Sequence, residues 1–436
     1  MNLLITFLIL IVLLLSGVPV PFSFGGATIF LVAILGTGPF ALFSTSYTQI
    51  STVTLVAIPM FIMAGGIMEK GQIGGALVNW ISIFIGRLKG GLAVVTVVTS
   101  AVFGAICGSG AATLSCIGSI VAPQMKERRY PVHVAAAAAC CAAPLGLLIP
   151  PSTMQIMLAW MMNVSVLACF LSTVIPGIIL TVLLSLVSSF LLRKDENIIY
   201  EDRRTIREWI WEFRGRTFTA IPALIMPLII LGGIYGGVMT ASESAAVAVA
   251  YSIPVAILVY KKLTLKGLAT CIRDTSCTAG VCMCMVAIVC MLSRMLTQAG
   301  IPQMVMEGLL SISDNKYVIL LMINIFLIIL GMIMDDTSAI LLSVPILFPL
   351  IKQLGVSPYQ FSALVGVNIG MGNITPPSAP FLYLSARIFK TDAAKVMKPV
   401  MCMLLFAYLP VLILVTYFPA LSLWLPKLIM GAKLGL

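Results

Sequence analysis

Two Pro-Pro-Ser steps constrain this chain more than any other feature of its sequence. They stand in Gly146-Leu147-Leu148-Ile149-Pro150-Pro151-Ser152 and in Gly372-Asn373-Ile374-Thr375-Pro376-Pro377-Ser378, each set between apolar runs. Proline has no N–H to donate and pushes the preceding residue out of the helical region, so two in succession break a helix. What surrounds the breaks decides what they cost. Of the 436 residues 60% are hydrophobic and only 9% charged, too few charges to cover a soluble protein of that length. Apolar runs near the roughly 20 residues needed to span a bilayer recur throughout. The chain is expected to be an all-α polytopic membrane protein, with no soluble domain. Its longest charged stretch, 193–216, is too short to enclose a core. Inside hydrocarbon, freed backbone groups are tolerated only against protein or a hydrated cavity.

The net charge of +11 falls in short basic patches between apolar runs, which speaks for membrane topology and against nucleic-acid binding. The eleven Cys include Cys140-Cys141 and Cys282-Met283-Cys284 in apolar sequence and show no Cys-x-x-Cys spacing, and His133 is the one His, so the pattern reads as packing and not as metal or redox chemistry. The run Leu3–Leu15 lacks a basic start and a small-residue cleavage site and is expected to be a first transmembrane helix.

Along the chain, apolar segments fall near 2–16, 20–36, 52–68 and 73–86, then 91–106 and 112–125 around Cys107-Gly108-Ser109-Gly110-Ala111. Two short segments flanking a Gly-rich break fit a re-entrant hairpin. The interrupted run 131–163 and a segment at 166–192 follow. After the charged stretch come 219–237, 242–260, 278–297 and 301–312, a second candidate hairpin at 317–351 around Met334-Asp335-Asp336-Thr337-Ser338, the broken run 359–388, and 396–418. Pro150 and Pro376, Pro123 and Pro349, and Lys126 and Lys352 all share an offset of 226 residues. The expected organisation is two repeats, 1–192 (hairpin about 91–125, broken helix about 131–163) and 217–436 (hairpin about 317–351, broken helix about 359–388), joined by 193–216. Five crossings per repeat would make the second inverted relative to the first. With 193–216 in the cytoplasm, Lys70, Arg87, Lys89, Lys126, Arg128 and Arg129 fall inside, as do Lys261, Lys262, Lys266, Arg273, Arg387, Lys390, Lys395 and Lys398. Both termini then lie outside, as does a loop at 37–51 that has no Lys or Arg.

In this arrangement the tips Gly108-Ser109-Gly110 and Asp335-Asp336-Thr337 approach each other near the midplane beside the two breaks. Half-helix N-termini suit a carboxylate, and unwound carbonyls and hydroxyls are hard oxygen ligands for a cation. A carboxylate in an apolar segment costs about 2.5 kcal/mol or more and normally has a partner. At least one of Asp335 and Asp336 is therefore expected to neutralise a coupling Na⁺ or H⁺, the alternative being a helix cap. The candidate cation ligands are Ser109, Gly110, Gly146, Asp335, Thr337, Gly372 and Asn373; the candidate substrate contacts are Ser152, Thr153, Thr375 and Ser378. Thr113 is a further hydroxyl candidate, the alternative for all these hydroxyls being back-bonding or capping within helices; Glu243 reads as a capping residue, Arg387 as a cytoplasmic-face residue with an inward-pointing cation for an anionic substrate as the alternative, and Tyr417 and Trp424 as interfacial anchors.

The Gly-Ser-Gly-Ala hairpin, Leu-Ile-Pro-Pro-Ser, Thr-Ala-Ser-Glu-Ser-Ala-Ala-Val-Ala-Val from Thr240, Gly-Met-Ile-Met-Asp from Gly331, Ile-Thr-Pro-Pro and Pro-Ala-Leu-Ser-Leu-Trp-Leu-Pro from Pro419 occur in this order. Together they resemble the large membrane (permease) subunit of tripartite ATP-independent periplasmic (TRAP) transporters, over essentially the whole chain. The resemblance implies an elevator-type secondary transporter in the bacterial inner membrane that imports an organic acid with Na⁺ as coupling ion and needs no other cofactor. It implies three partners besides lipid: a periplasmic solute-binding protein, a small four-helix membrane subunit on a separate chain, and a small organic anion. Asp335 matches the family's usual acidic position, whereas Asp336 falls where Pro or an apolar residue is usual. Met371–Pro380 also departs from the family's more frequent Gly-Leu-Leu-Thr-Pro-Pro-Val-Gly. The competing reading is a stand-alone ion-coupled organic anion transporter of related architecture. A membrane-embedded enzyme would need clustered His, Asp or Glu at acid–base or metal spacing, and a purely structural subunit would not need two broken helices.

Overall fold

The computed structural model describes residues 2–36, 38–86, 90–193, 195, 197–199 and 206–431. Arg87 and Lys89, placed inside by the charge argument, lie outside the described residues, as do residue 37 of the expected loop and residues 194, 196 and 200–205 of the connection. Every regular element described is a helix, and no strand occurs among the described residues. Among them, seven helices are long and apolar enough to cross a membrane; the pair Val132–Leu148 and Thr153–Met162, bent by 41°, makes an eighth. The all-helical, multi-pass expectation holds. Phe22, Leu186, Phe190, Phe218, Leu228 and Leu258 stand exposed on the outer surface, which suits hydrocarbon as the surrounding solvent.

Each segment expected as a hairpin is a pair of helices, interrupted where glycine or aspartate breaks an apolar run. The first joins Gly91–Cys107 to Gly110–Glu127. Gly108 closes the first arm with φ of +62°, a left-handed conformation cheap only for glycine, while its N–H bonds Gly104 O at 2.9 Å. The second joins Lys316–Ile333 to Asp336–Gln353 through Met334-Asp335. Arms of this length run about 26 Å, slightly under the roughly 30 Å of a hydrocarbon core.

The Pro-Pro steps break the helices as expected. One broken helix runs as Val132–Ala142, a turn at Leu145–Leu148, then Thr153–Met162; the other as Pro358–Gly372, then Pro380–Ile388. Pro150-Pro151 and Pro376-Pro377 are both cis. The first broken helix is built of Ala and Cys from Ala135 to Ala143, all buried, so neighbouring backbones come close. The two broken helices pack on each other: Ser362 Oγ donates to Gln155 Oε1, and a Cβ on Gly370 would fall 2.9 Å from Pro144 Cβ. A buried amide chain ties this centre to the helix Leu409–Tyr417. Asn368 Nδ2 donates to Asn324 Oδ1 and Asn324 Nδ2 to Thr416 Oγ1, each at 2.9 Å.

Four elements differ from the sequence expectation. The stretch expected as a loop at 37–51 holds the helix Pro39–Ile50, started by a proline at its first position. The second-half helix expected at 219–237 begins at Ile206, inside the charged connection, and runs to Tyr235. The segment expected at 278–297 is the end of Leu265–Gln298, 34 residues and about 50 Å long. Beyond the expected last segment lies one more helix, Pro419–Met430.

Candidate binding site at the hairpin tips

Glycine brings the hairpins against the breaks. A Cβ on Gly146 would fall 2.7 Å from Thr113 Oγ1 and 2.9 Å from Ser109 O; one on Gly372 would fall 2.6 Å from Gly331 Cα. These two glycines precede the Pro-Pro steps at the same distance, so each break touches its own hairpin backbone to backbone. Hydrogen bonds repeat the arrangement one step later. Thr153 donates both its N–H (3.3 Å) and its Oγ1 (3.1 Å) to Gly108 O. Ser378 donates its N–H (3.0 Å) and its Oγ (2.6 Å) to Met332 O. Carbonyls at the end of each first arm, orphaned by helix termination, are thereby satisfied from the adjacent break.

Between the tips lies a cavity of about 410 Å³. Its walls come from the first tip (Cys107, Ser109), the second tip (Asp336, Thr337) and the outer part of the first broken helix (Thr153, Met157). The remaining wall is made by two helices distant in sequence: Val53–Lys70, with Gly65, Gly66 and Glu69, and Leu265–Gln298, with Thr275, Thr278 and Cys282. A Cβ on Gly65 would fall 2.9 Å from Cys107 Cβ, which explains a glycine in mid-helix there. Next in sequence to Glu69 and Thr275, Lys70 Nζ pairs with Asp274 Oδ2 at 2.6 Å, joining those two helices.

The candidate residues divide. Ser109, Thr153 and Thr337 line the cavity. Gly110 and Gly146 sit buried directly behind the first tip, and Ser152 is buried with its Oγ donating to Leu147 O at 2.7 Å. Asp335 is the N-cap of Asp336–Gln353, accepting from Ser338 N at 3.4 Å and from Ser338 Oγ; Asp336 is the carboxylate at the cavity wall. Gly372, Asn373, Thr375 and Ser378 lie at the second break and do not line this cavity. Asn373 is 1% exposed and its Oδ1 has no hydrogen-bond partner, an acceptor left open beside the second tip. Thr375 Oγ1 donates to Met371 O at 2.8 Å. Thr113 bonds Ser109 O, and Glu243 forms a capping box with Thr240 as its spacing implies. Sequence reasoning missed Glu69, Thr275 and Thr278. A carboxylate four residues after Gly65 on an apolar helix was the available signal for the first.

A second cavity, about 720 Å³, opens elsewhere between Leu265–Gln298, Asp336–Gln353 and the end of Thr153–Met162. It is lined by Arg294 with Gln49, Thr52, Trp160 and Thr297 and, among the described residues, by no carboxylate.

The family described as "Tripartite ATP-independent periplasmic transporter, DctM component" matches residues 7–421. The chain belongs to this family of large TRAP permease subunits. YgiK of Salmonella typhimurium, an uncharacterized protein, is 35% identical over 421 residues, covering 96% of this chain and 95% of its own. The C4-dicarboxylate TRAP transporter large permease protein DctM of Pseudomonas aeruginosa is 33% identical over 374 residues, 86% of each chain. Among solved structures, the YdaH transporter of Alcanivorax borkumensis aligns with a TM-score of 0.64 at 17% identity, over 88% of this chain and 89% of that one, a likeness of fold. As a TRAP permease subunit, the chain places its two hairpin tips and breaks within one continuous match.

Proposed function

We propose that this TRAP permease subunit imports an organic acid by Na⁺-coupled secondary transport, the substrate being held in the cavity between the two hairpin tips. One observation carries the reading: both tips and the end of the first break, Ser109, Thr153, Asp336 and Thr337, converge on one cavity in a chain whose family match runs from 7 to 421. Organic acids are supported as the class by the relative named for C4-dicarboxylates. Two helices with no acidic residue in the first turn begin at this cavity, Gly110–Glu127 and Thr153–Met162, and their N-termini favour a carboxylate. Na⁺ sits at each tip in this reading: at the first against Ser109, Gly110 and Gly146, at the second against Asp335, Thr337, Gly372 and the open Oδ1 of Asn373. Ser152, Thr375 and Ser378 shape the two breaks around the ligand.

The rest of the system follows the family. A periplasmic binding protein delivers the substrate, and a separate small membrane subunit braces the outer helices in the bacterial inner membrane. The two hairpin–break pairs form oppositely oriented repeats and move together as an elevator. The 193–216 connection is cytoplasmic, both termini are periplasmic, and Na⁺ is the one coupling group required.

The test is uptake into proteoliposomes holding this chain and its small subunit, with loaded binding protein outside and Na⁺ or H⁺ gradients imposed separately. Uptake is expected with the Na⁺ gradient only, and Asp335→Asn is expected to abolish it while membrane insertion is kept. Uptake that needs no binding protein would point to the stand-alone transporter. Unchanged uptake in Asp335→Asn would remove that carboxylate from the coupling site.

A further inference from the structure

Far from the tips in sequence, the helix Ile206–Tyr235 carries a face that nothing else in this chain covers. It has 30 residues, so it runs about 45 Å, the thickness of the hydrocarbon and headgroup layers together. The stretch 218–235 covers about 27 Å of that, close to the hydrocarbon alone, which leaves 206–217 at headgroup depth. Arg207, Trp211, Arg214, Phe218, Ile221 and Ile225 follow one another at steps of four and three residues and so share one side of the helix. All six are exposed. Trp211 and Phe218 are each 80% exposed, against 0% for Ala220 and Ala223 on the other side. The two Arg and the Trp fall in the headgroup part of this face, and only apolar side chains follow them into the hydrocarbon part.

The other side of the helix is where the chain packs. Trp80 Nε1 donates to Thr217 Oγ1 at 3.0 Å, and Trp209 stacks on Phe213 with ring centroids 5.3 Å apart. Arg216 donates to Asn79 O at 3.1 Å and pairs with Glu212 at 3.6 Å. Arg207 and Arg214, by contrast, make no hydrogen bond or ion pair among the described residues. The nearby carboxylates, Glu208 and Glu212, stand about 100° and 140° round the helix from Arg207, off the exposed stripe. Close contact between membrane helices favours small residues. The stripe holds none, and the two Ala lie on the buried side.

We propose that this face binds an anionic phospholipid: the headgroup phosphate lies between Arg207 and Arg214 beside the indole of Trp211, and the acyl chains lie along Phe218, Ile221 and Ile225. The two Arg are two turns apart, about 10 Å along the axis, and their long side chains reach one headgroup from both sides. A guanidinium meets phosphate oxygens through its planar fork. A choline headgroup brings its own cation to the same place, so a headgroup with net negative charge is preferred. Neither the substrate's position nor the orientation of the chain enters.

Trp211 reports the bound lipid directly. The full chain is placed in nanodiscs of equal parts phosphatidylglycerol and phosphatidylcholine with identical acyl chains, one or the other brominated near the headgroup. Bromine quenches indole fluorescence at contact, and subtraction of the Trp211→Phe signal isolates Trp211 from the other tryptophans. Brominated phosphatidylglycerol is expected to quench Trp211 about twofold or more above brominated phosphatidylcholine, and Arg207→Gln combined with Arg214→Gln to make the two lipids equal. Equal quenching in the native chain, or a preference that survives the double substitution, would overturn the assignment. Loss of quenching by both lipids on adding the small membrane subunit would also overturn it, by giving the face to that subunit.

Discussion

The two hairpin–break pairs solve the same packing problem with different chemistry at the tip. In both, a glycine ahead of the Pro-Pro step lies against hairpin backbone, Gly146 by Ser109 and Gly372 by Gly331. In both, a residue after the Pro-Pro step gives an N–H and a hydroxyl to a single carbonyl of the first arm. The tips then diverge. Ser109 and Gly110 of the first correspond by the 226-residue offset to Asp335 and Asp336 of the second. Ser109 makes no side-chain cap bond, and Gly110 has no room for a side chain; Asp335 caps its helix, and Asp336 faces the cavity. Backbone geometry is thus held in common, while charge is supplied from one side only. This asymmetry is what lets one cavity present helix N-termini on one wall and a carboxylate on another.

The shared part should be the more fragile. Gly372→Ala would drive a Cβ into Gly331 backbone that cannot swing aside, so a loss of about 1–3 kcal/mol or more is expected. Gly146→Ala should behave likewise, and both should appear as lower melting temperatures in detergent. Melting as in the native chain for both would mean that the close approach is not required.

The divergent part sharpens the comparison with smaller effects. Asp335→Ala removes a working N-cap and should cost about 0.5–2 kcal/mol, whereas Ser109→Ala removes none and should leave melting nearly unchanged. Equal losses would show that the tips are stabilised alike. Below these come Thr153→Val and Ser378→Ala. Each deletes one hydroxyl donor while the backbone N–H keeps the same carbonyl paired, so about 0.5–1.5 kcal/mol is expected for each. A loss confined to one of the two would break the correspondence between the breaks.

Much of this architecture was legible because proline and glycine act locally. Pro150-Pro151 and Pro376-Pro377 end helices whatever packs around them, and Gly108 marks a turn by its own backbone freedom. Helix length was less legible where polar residues interrupt apolarity without interrupting hydrogen bonding. Arg273 and Asp274 lie within Leu265–Gln298, and Arg214 and Arg216 within Ile206–Tyr235, so a hydropathy reading starts both helices late. Pro39 starts a helix in a stretch whose lack of Lys and Arg spoke only to its side of the membrane. The cavity was half legible. Its tips carry Gly, Ser and Asp at interruptions, but Glu69, Thr275 and Thr278 lie mid-helix, and only tertiary packing brings them to Asp336. Which of two adjacent aspartates caps and which faces the cavity depends on the turn's exit geometry, which spacing does not carry.

The position of the ligand is decisive. The direct measurement is an electron cryomicroscopy map of this chain with its small subunit in NaCl, with and without the substrate carried by its binding protein. Substrate density is expected among Ser109, Thr153, Glu69 and Asp336, between the two tips. Density in the larger cavity around Arg294 and Trp160, with the tip cavity unchanged, would contradict it.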